Sequence, residues 1–169
     1  MELQEVLLDL FDRITEHVHE AVDGLDPDAL STPPEPGANP IGWLVWHLTR
    51  VQDHHMSEIL DAEQVWITGR FATRFGVAAD PQNTGYSHSW KDVMSIRPES
   101  AEALIEYYEA VDSRTREFLT TTTPEDLDRI VDKRWDPPVT LGVRLLSIAD
   151  DDIQHAGQAS YVRGIFDRR

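Results

Sequence analysis

The sequence predicts an all-α protein, a four-helix bundle formed by a single domain that spans residues 1–169. Three observations predict this fold. Apolar residues recur at three- and four-residue intervals in four long segments, proline and glycine separate these segments, and no alternating pattern indicates paired strands. Long loops are expected between the second and third helices and between the third and fourth helices.

The first two helices are predicted from their apolar faces and from the residues at their ends. The first helix covers residues 3–25, and the proline-rich segment 31–37 follows it. Proline cannot continue a helix, because it lacks the backbone donor. Asn39 and Pro40 predict the start of the second helix, since an N-cap residue followed by proline is typical of a helix N-terminus. We expect this helix to extend to about Ile67.

The last two helices are separated from the preceding segments by irregular sequence. Helical periodicity fails over residues 68–98, and a loop of this length often covers a functional site. The third helix follows Pro98 and ends near the threonine run 120–123. Thr140 is a suitable N-cap for the fourth helix, which continues to about Phe166.

Composition excludes several classes of function. The formal net charge is -16 at pH 7, so nucleic acid and anionic membrane surfaces would be repelled by most of the protein. The chain has no cysteine, so it has no disulfide and no thiol nucleophile of its own. No secretion signal and no apolar stretch of ~20 residues are present. We expect a cytoplasmic protein that acts on a small molecule.

The fourth helix carries polar residues on its apolar face. Asp151 and His155 interrupt the apolar positions there, and a buried carboxylate is unfavourable unless it is paired or bound to a cation. Residues four apart lie about 6 Å apart along a helix axis and nearly in line, so both side chains can bind one ion. Asp152 is a weaker candidate for the same role.

The second helix has a matching polar residue, because His47 lies in a stripe with the core residues Leu44, Leu48 and Val51. His47, Asp151 and His155 would leave open positions on a bound metal ion. This ligand set is typical of catalytic zinc, with nickel and iron as alternatives. Calcium or magnesium would require more oxygen ligands.

Other interpretations of the histidines stay open at this stage. A histidine on an apolar face is more often a hydrogen-bonded core residue than a ligand, and an Asp–His pair can be an internal hydrogen bond. His54 and His55 are predicted to be solvent-exposed or to support the site by hydrogen bonds. His17, His19 and His88 are predicted to be surface residues.

Several short motifs, in their order and spacing, resemble a known family across nearly the whole chain. The motifs are Trp46-His47-Leu48, Asn83-Thr84-Gly85-Tyr86, residues 136–140 (DPPVT), residues 151–158 (DDIQHAGQ) and residues 161–164 (YVRG). Together they resemble the DinB-like superfamily, in particular its branch of mycothiol-dependent enzymes related to maleylpyruvate isomerase. The resemblance implies a four-helix bundle, a metal ion held by His47, Asp151 and His155, and a homodimer. Family members often have glutamate or histidine where this chain has Asp151.

The resemblance also implies a function. It points to a metal-dependent thiol S-transferase or isomerase, in which a divalent metal activates a mycothiol-type thiol for attack on a small electrophile. Arg163, two turns beyond His155, is a candidate for binding an anionic group of the cofactor, with a surface ion pair as the alternative. Three other functions stay open: a metal-dependent hydrolase, a non-catalytic metal-binding stress-response protein, and a purely structural bundle.

Overall fold

The protein is an all-α bundle, as predicted from the sequence. The computed structural model describes residues 2–168. The helices are α1 (Leu3–Val22), α2 (Pro27–Ser31), α3 (Ile41–Leu60), α4 (Val65–Thr68), α5 (Trp90–Val93), α6 (Ala101–Thr121) and α7 (Leu141–Phe166). The four long helices α1, α3, α6 and α7 form the bundle, whereas α2, α4 and α5 are short turns in the connections. Among the described residues, no helix has the length and apolarity needed to cross a membrane.

The core lies between the four long helices, and α3 is its most enclosed element. Every residue of segment 41–50 is buried, because α7, α6 and α1 surround this half of α3 and the loop after α4 covers it. All four helices contribute apolar side chains to one cluster, which includes Ile14, Trp46, Leu48, Tyr108 and Ile148. Burial of this apolar surface is the main favourable contribution to folding.

The second bundle helix is shorter than predicted. The expectation that it extends to about Ile67 is wrong, because α3 ends at Leu60 and Asp61 takes a left-handed conformation with φ 49°. The physical reason is the side chain of Asp53, whose carboxylate accepts hydrogen bonds from the first two backbone N–H groups of α4 at 2.9 and 2.8 Å. In one continuous helix, backbone carbonyls would accept from these N–H groups instead. The chain therefore turns back after α3.

The connections confirm the two predicted long loops and add a feature that was not expected. The first loop contains a short 3-10 helix, Phe71–Phe75, and α5. The second contains a small antiparallel pair, β1 (Ile130–Asp132) and β2 (Val139–Thr140). The expectation of no paired strands is wrong in this respect, because strands of two and three residues are too short for an alternating pattern to be visible.

Two isoleucines on α7 test the position of the core. Ile148 is 0% exposed and Ile153 is 46% exposed. We expect Ile148→Ala to lower the free energy of unfolding by about 2–5 kcal/mol, because the substitution leaves a cavity among packed side chains. Ile153→Ala is the matched control and should lower it by less than about 1 kcal/mol. Urea denaturation measures both values, and equal losses would contradict the packing described here.

Candidate metal centre

The structure brings His47, Asp151 and His155 together at the contact between α3 and α7. One donor atom from each residue lies within 4.8 Å of the other two. The imidazole centroids of His47 and His155 are 4.7 Å apart, and Asp151 Oδ1 is 3.6 Å from His155 Nε2. The two α7 residues converge because they are one helical turn apart, and His47 faces them because α3 packs along α7.

Hydrogen bonds orient both imidazoles in the same way. The Nδ1 atom of His47 lies 2.5 Å from the carbonyl oxygen of Thr84, and the Nδ1 atom of His155 lies 3.0 Å from Oε1 of Gln158. A carbonyl oxygen only accepts, so each Nδ1 carries the proton and donates it. Each Nε2 therefore keeps a free lone pair. Metal-binding histidines in proteins are held by outer hydrogen bonds of this kind.

Asp151 lacks the partner that a buried carboxylate requires. Its Oδ2 atom is buried and has no hydrogen-bond partner among the described residues. Burial, with a smaller contribution from Asp150, raises the pKa of Asp151, whereas His155 opposes this rise. A hydrogen bond to His155 would need a separation of ~2.7–3.2 Å, and the observed 3.6 Å is longer. These residues fit a bound cation better than an internal Asp–His hydrogen bond.

The environment of His47 keeps its imidazole neutral. The pKa of His47 is lowered to about 4, mainly by burial, which outweighs the opposing hydrogen bond to Thr84; the charges that His155 and His88 would carry contribute less to the lowering. A neutral imidazole is the form that binds a metal ion. His47 is therefore ready to act as a ligand near neutral pH.

A second group of possible ligands is already occupied by arginine side chains. Donor atoms of His54, His55 and Glu58 also lie within 4.8 Å of one another. Nη2 of Arg134 donates to both carboxylate oxygens of Glu58, at 2.9 and 3.2 Å, and Nη1 of Arg144 lies 3.2 Å from His55 Nδ1. A metal ion here would be repelled by two guanidinium groups and would have to displace them.

A cavity of about 370 Å³ opens beside the candidate metal centre. His47 and Asp151 form one side of it, and His54 and His55 form another. The expectation for His54 and His55 holds only in part, since both are partly buried rather than solvent-exposed. Tyr86, from the loop between α4 and α5, lies at its exposed edge. The cavity volume is within the ~300–1,000 Å³ range of small-molecule sites.

His88 is not the surface residue that the sequence predicts. Its Nδ1 accepts a hydrogen bond from Trp43 Nε1 at 3.1 Å, and its Nε2 donates to Asn83 Oδ1 at 2.7 Å. The imidazole also stacks on Trp46, with ring centroids 5.7 Å apart. The sequence did not indicate these contacts, because they join a loop to a helix some 40 residues away. His17 is exposed, as expected.

Two predicted candidates lie away from the centre. Arg163 donates to Asp167 Oδ1 at 2.9 Å and to the carbonyl oxygen of Asp23 at 2.6 Å, so it joins the end of α7 to the end of α1. Asp152 is 0% exposed and lies near Tyr108 of α6 instead of joining the other three residues. Burial raises the pKa of Asp152 well above its usual range, which favours the neutral carboxyl group.

Sequence reasoning missed the two residues that orient the imidazoles. Gln158 lies three residues after His155 on the same helix face, so this spacing was a usable signal. Thr84 acts through its backbone carbonyl, and side-chain identity carries no information about such a contact. Both residues nevertheless lie inside motifs that carry the family resemblance.

Gly85 tests the close approach of the loop to His47. A Cβ atom at Gly85 would lie 2.5 Å from His47 Nδ1, and the φ angle of Gly85 is +94°. We expect Gly85→Ala to displace the loop and to lower the free energy of unfolding. Gly37→Ala is the matched control, because Gly37 has φ +88° and a Cβ atom there would meet nothing within 4 Å.

Both substitutions place alanine at a positive φ angle, but only Gly85→Ala also creates a steric overlap. The difference between their effects on the free energy of unfolding therefore measures the overlap alone. We expect Gly85→Ala to be more destabilising than Gly37→Ala by about 1–3 kcal/mol in urea denaturation. Equal effects would show that the loop does not contact His47 as described.

His55 should make stability depend on pH. Burial, with contributions from Arg144 and His54, lowers the pKa of His55 from 6.5 to about 4, while Glu58 opposes this shift. Arg134, which binds Glu58, and Asp132, which binds Arg144, are further charged groups near His55. Below pH 6.5 the unfolded chain binds a proton that the folded chain does not, so stability falls as the pH decreases from 6.5 towards 4.

We expect His55→Gln to weaken this dependence. Between pH 7 and 4.5, the free energy of unfolding should fall by about 1–2 kcal/mol less in the variant than in the unchanged protein. Urea denaturation at several pH values measures the slope, and comparison at pH 8 corrects for other effects of the substitution. An identical slope in both proteins would be inconsistent with a partly buried, neutral His55.

Comparisons with known proteins agree with the fold. The sequence pattern of the DinB superfamily matches residues 10–159. The crystal structure of a conserved protein from Enterococcus faecalis superimposes with a TM-score of 0.90 at 26% identity, over 100% of this chain and 99% of that chain. A DinB-like protein from Bacillus cereus shares the fold, with a TM-score of 0.59 at 20% identity over 94% and 89% of the two chains. No curated protein matches. Because the family match covers most of its length, the chain belongs to the DinB superfamily.

Proposed function

We propose that the protein is a metal-dependent thiol S-transferase or isomerase that uses a low-molecular-weight thiol of the mycothiol type. His47, Asp151 and His155 hold the divalent metal. The observation that carries this proposal is the orientation of the two imidazoles, whose Nδ1 hydrogen bonds leave both Nε2 atoms free beside Asp151. The Oδ2 atom of Asp151 has no hydrogen-bond partner among the described residues. Membership of the DinB superfamily supports it.

The donor set favours zinc among divalent metals, with nickel and iron as alternatives. Two imidazole nitrogens and one carboxylate oxygen are typical ligands of late divalent metals, and three protein ligands leave a position for a substrate. Ligand atoms around zinc, with bonds of ~2.0–2.2 Å, stand roughly 3.4 Å apart. Asp151 Oδ1 and His155 Nε2 are already 3.6 Å apart. When bound, the metal lowers the pKa of a coordinated thiol, so that a thiolate is available at neutral pH.

The side chains of this protein prepare the site for that chemistry. Thr84 and Gln158 hold the protons of both imidazoles away from the metal position. His54 and His55 line the cavity of about 370 Å³ beside the metal position. Burial lowers the pKa of each, so both present neutral imidazoles to the substrates. The chain has no cysteine, so the reacting sulfur comes from a co-substrate. Such thiols are kept reduced in the cytoplasm, where we place the protein.

One cavity at the centre and a second one linked to it through Gln158 provide room for two reactants. The cavity of about 370 Å³ contacts His47 and Asp151 directly. A second cavity, of about 650 Å³, lies between α7 and the loop before α3, and Leu44, Gln158 and Tyr161 are in its wall. Gln158 thus belongs to this wall and also orients His155. A transferase requires two substrate positions, whereas a hydrolase requires one organic substrate and water.

Metal analysis and a thiol assay test the proposal together. After loading with zinc and removal of free metal, the unchanged protein should retain about one zinc ion per chain, as expected for a single site. His47→Ala and His155→Ala should lose it, whereas His17→Ala, which changes an exposed histidine of α1, is the matched control and should retain it. The zinc-loaded protein should consume an electrophile such as monochlorobimane only when mycothiol or a similar thiol is present.

Other outcomes would contradict the proposal in different ways. Metal-dependent consumption of a substrate without any thiol would indicate a hydrolase. Stoichiometric metal without turnover across a panel of electrophiles would indicate a non-catalytic metal-binding protein. Equal zinc retention in all three variants would exclude the proposed ligands.

A further inference from the structure

One buried side chain of α3 holds the long loop that covers the candidate metal centre. Arg50 is 0% exposed, and its Nε donates to the carbonyl oxygen of Asn83 at 3.0 Å. Its Nη2 donates to the carbonyl oxygen of Pro81 at 3.1 Å. The rigid planar guanidinium group thus binds two backbone carbonyls of the loop at once, which a lysine ammonium group does not reproduce.

The other side of the guanidinium group is fixed within the bundle. Nη1 of Arg50 donates to the hydroxyl of Tyr107 at 3.1 Å and lies 3.4 Å from Asp53 Oδ2. Tyr107 in turn donates to Asp53 Oδ2 at 2.9 Å. A buried ion pair adds little net stability compared with apolar side chains of similar volume. Its clearest effect here is to fix the position of the groups that it joins.

The loop carbonyl next to those bound by Arg50 contacts a proposed metal ligand. Asn83 directly precedes Thr84, whose carbonyl accepts the Nδ1 proton of His47 at 2.5 Å. Arg50 and His47 are three residues apart on α3 and bind consecutive carbonyls of the same loop. Movement of the Asn83 peptide would therefore move the acceptor of His47.

We propose that Arg50 is a positioning residue of the metal centre. It fixes the loop so that the Thr84 carbonyl keeps the proton on Nδ1 of His47 and leaves Nε2 facing Asp151 and His155. The inference rests on the metal site of the proposed function, but it also predicts which tautomer His47 adopts in the metal-free protein. Without Arg50, the imidazole of His47 has no fixed acceptor and populates both neutral tautomers.

A purely structural role for Arg50 makes different predictions. Tyr107→Phe removes a hydroxyl that contacts Arg50 and Asp53 but leaves the contacts between Arg50 and the loop in place. It is the matched control, since it perturbs the same buried network. A structural role predicts that Arg50→Lys and Tyr107→Phe act only through stability. A positioning role predicts that Arg50→Lys alone changes His47.

The experiment compares the two variants by NMR and by zinc binding. The ¹⁵N chemical shifts of His47 report its tautomer in the metal-free protein, and competition with a chelator reports zinc affinity. We expect the Nδ1–H tautomer in the unchanged protein and in Tyr107→Phe, and a mixture of tautomers in Arg50→Lys. Zinc affinity should fall about 10–100-fold in Arg50→Lys and less than about threefold in Tyr107→Phe.

The outcomes separate this inference from the proposed function. An unchanged His47 tautomer and unchanged zinc affinity in Arg50→Lys would overturn the inference. If the unchanged protein binds no zinc, the proposed function fails, and the tautomer measurement still decides the role of Arg50. If Arg50→Lys does not fold, Arg50→Met removes the contacts with the loop and makes the same predictions for His47. Asp53 keeps three hydrogen bonds in that variant, from the N–H groups of Val65 and Trp66 and from the hydroxyl of Tyr107.

Discussion

The contact between α3 and α7 is the constraint on which the rest of the site depends. Donor atoms of two imidazoles and one carboxylate lie within 4.8 Å of one another there, with His47 buried and Asp151 and His155 partly buried. All three are lone-pair acceptors, and the outer hydrogen bonds of His47 and His155 leave no proton between them. Buried acceptors without a donor are unfavourable. A bound cation would satisfy all three at once.

The loop between α4 and α5 is part of this arrangement and not a passive cover. Its backbone approaches α3 so closely that only glycine fits at residue 85. His47 and Arg50 bind adjacent carbonyls of this loop, so its position and the orientation of the imidazole are coupled. The same loop contributes Tyr86 to the edge of the cavity of about 370 Å³ beside the candidate metal centre. One segment thus orients a proposed ligand and lines this cavity.

Local sequence spacing was enough to predict the four long helices, whereas the prediction that His47, Asp151 and His155 act together also relied on the family resemblance. Helical periodicity repeats within each segment, and Asp151 and His155 are neighbours on a single turn. The end of α3 was not predictable in this way, because a side chain of α3 accepts from the backbone of α4. The partly buried position of His88 likewise depends on contacts between distant segments. The homodimer and the mycothiol-dependent branch of the family stay predictions.

The most direct measurement is the anomalous scattering of a zinc-loaded crystal at the zinc absorption edge. The account predicts one strong peak per chain, within bonding distance of His47 Nε2, His155 Nε2 and the carboxylate of Asp151. It would be contradicted by stoichiometric zinc with no peak at this position. A peak that lies instead among His54, His55 and Glu58 would contradict it equally, since two arginine side chains already bind that group.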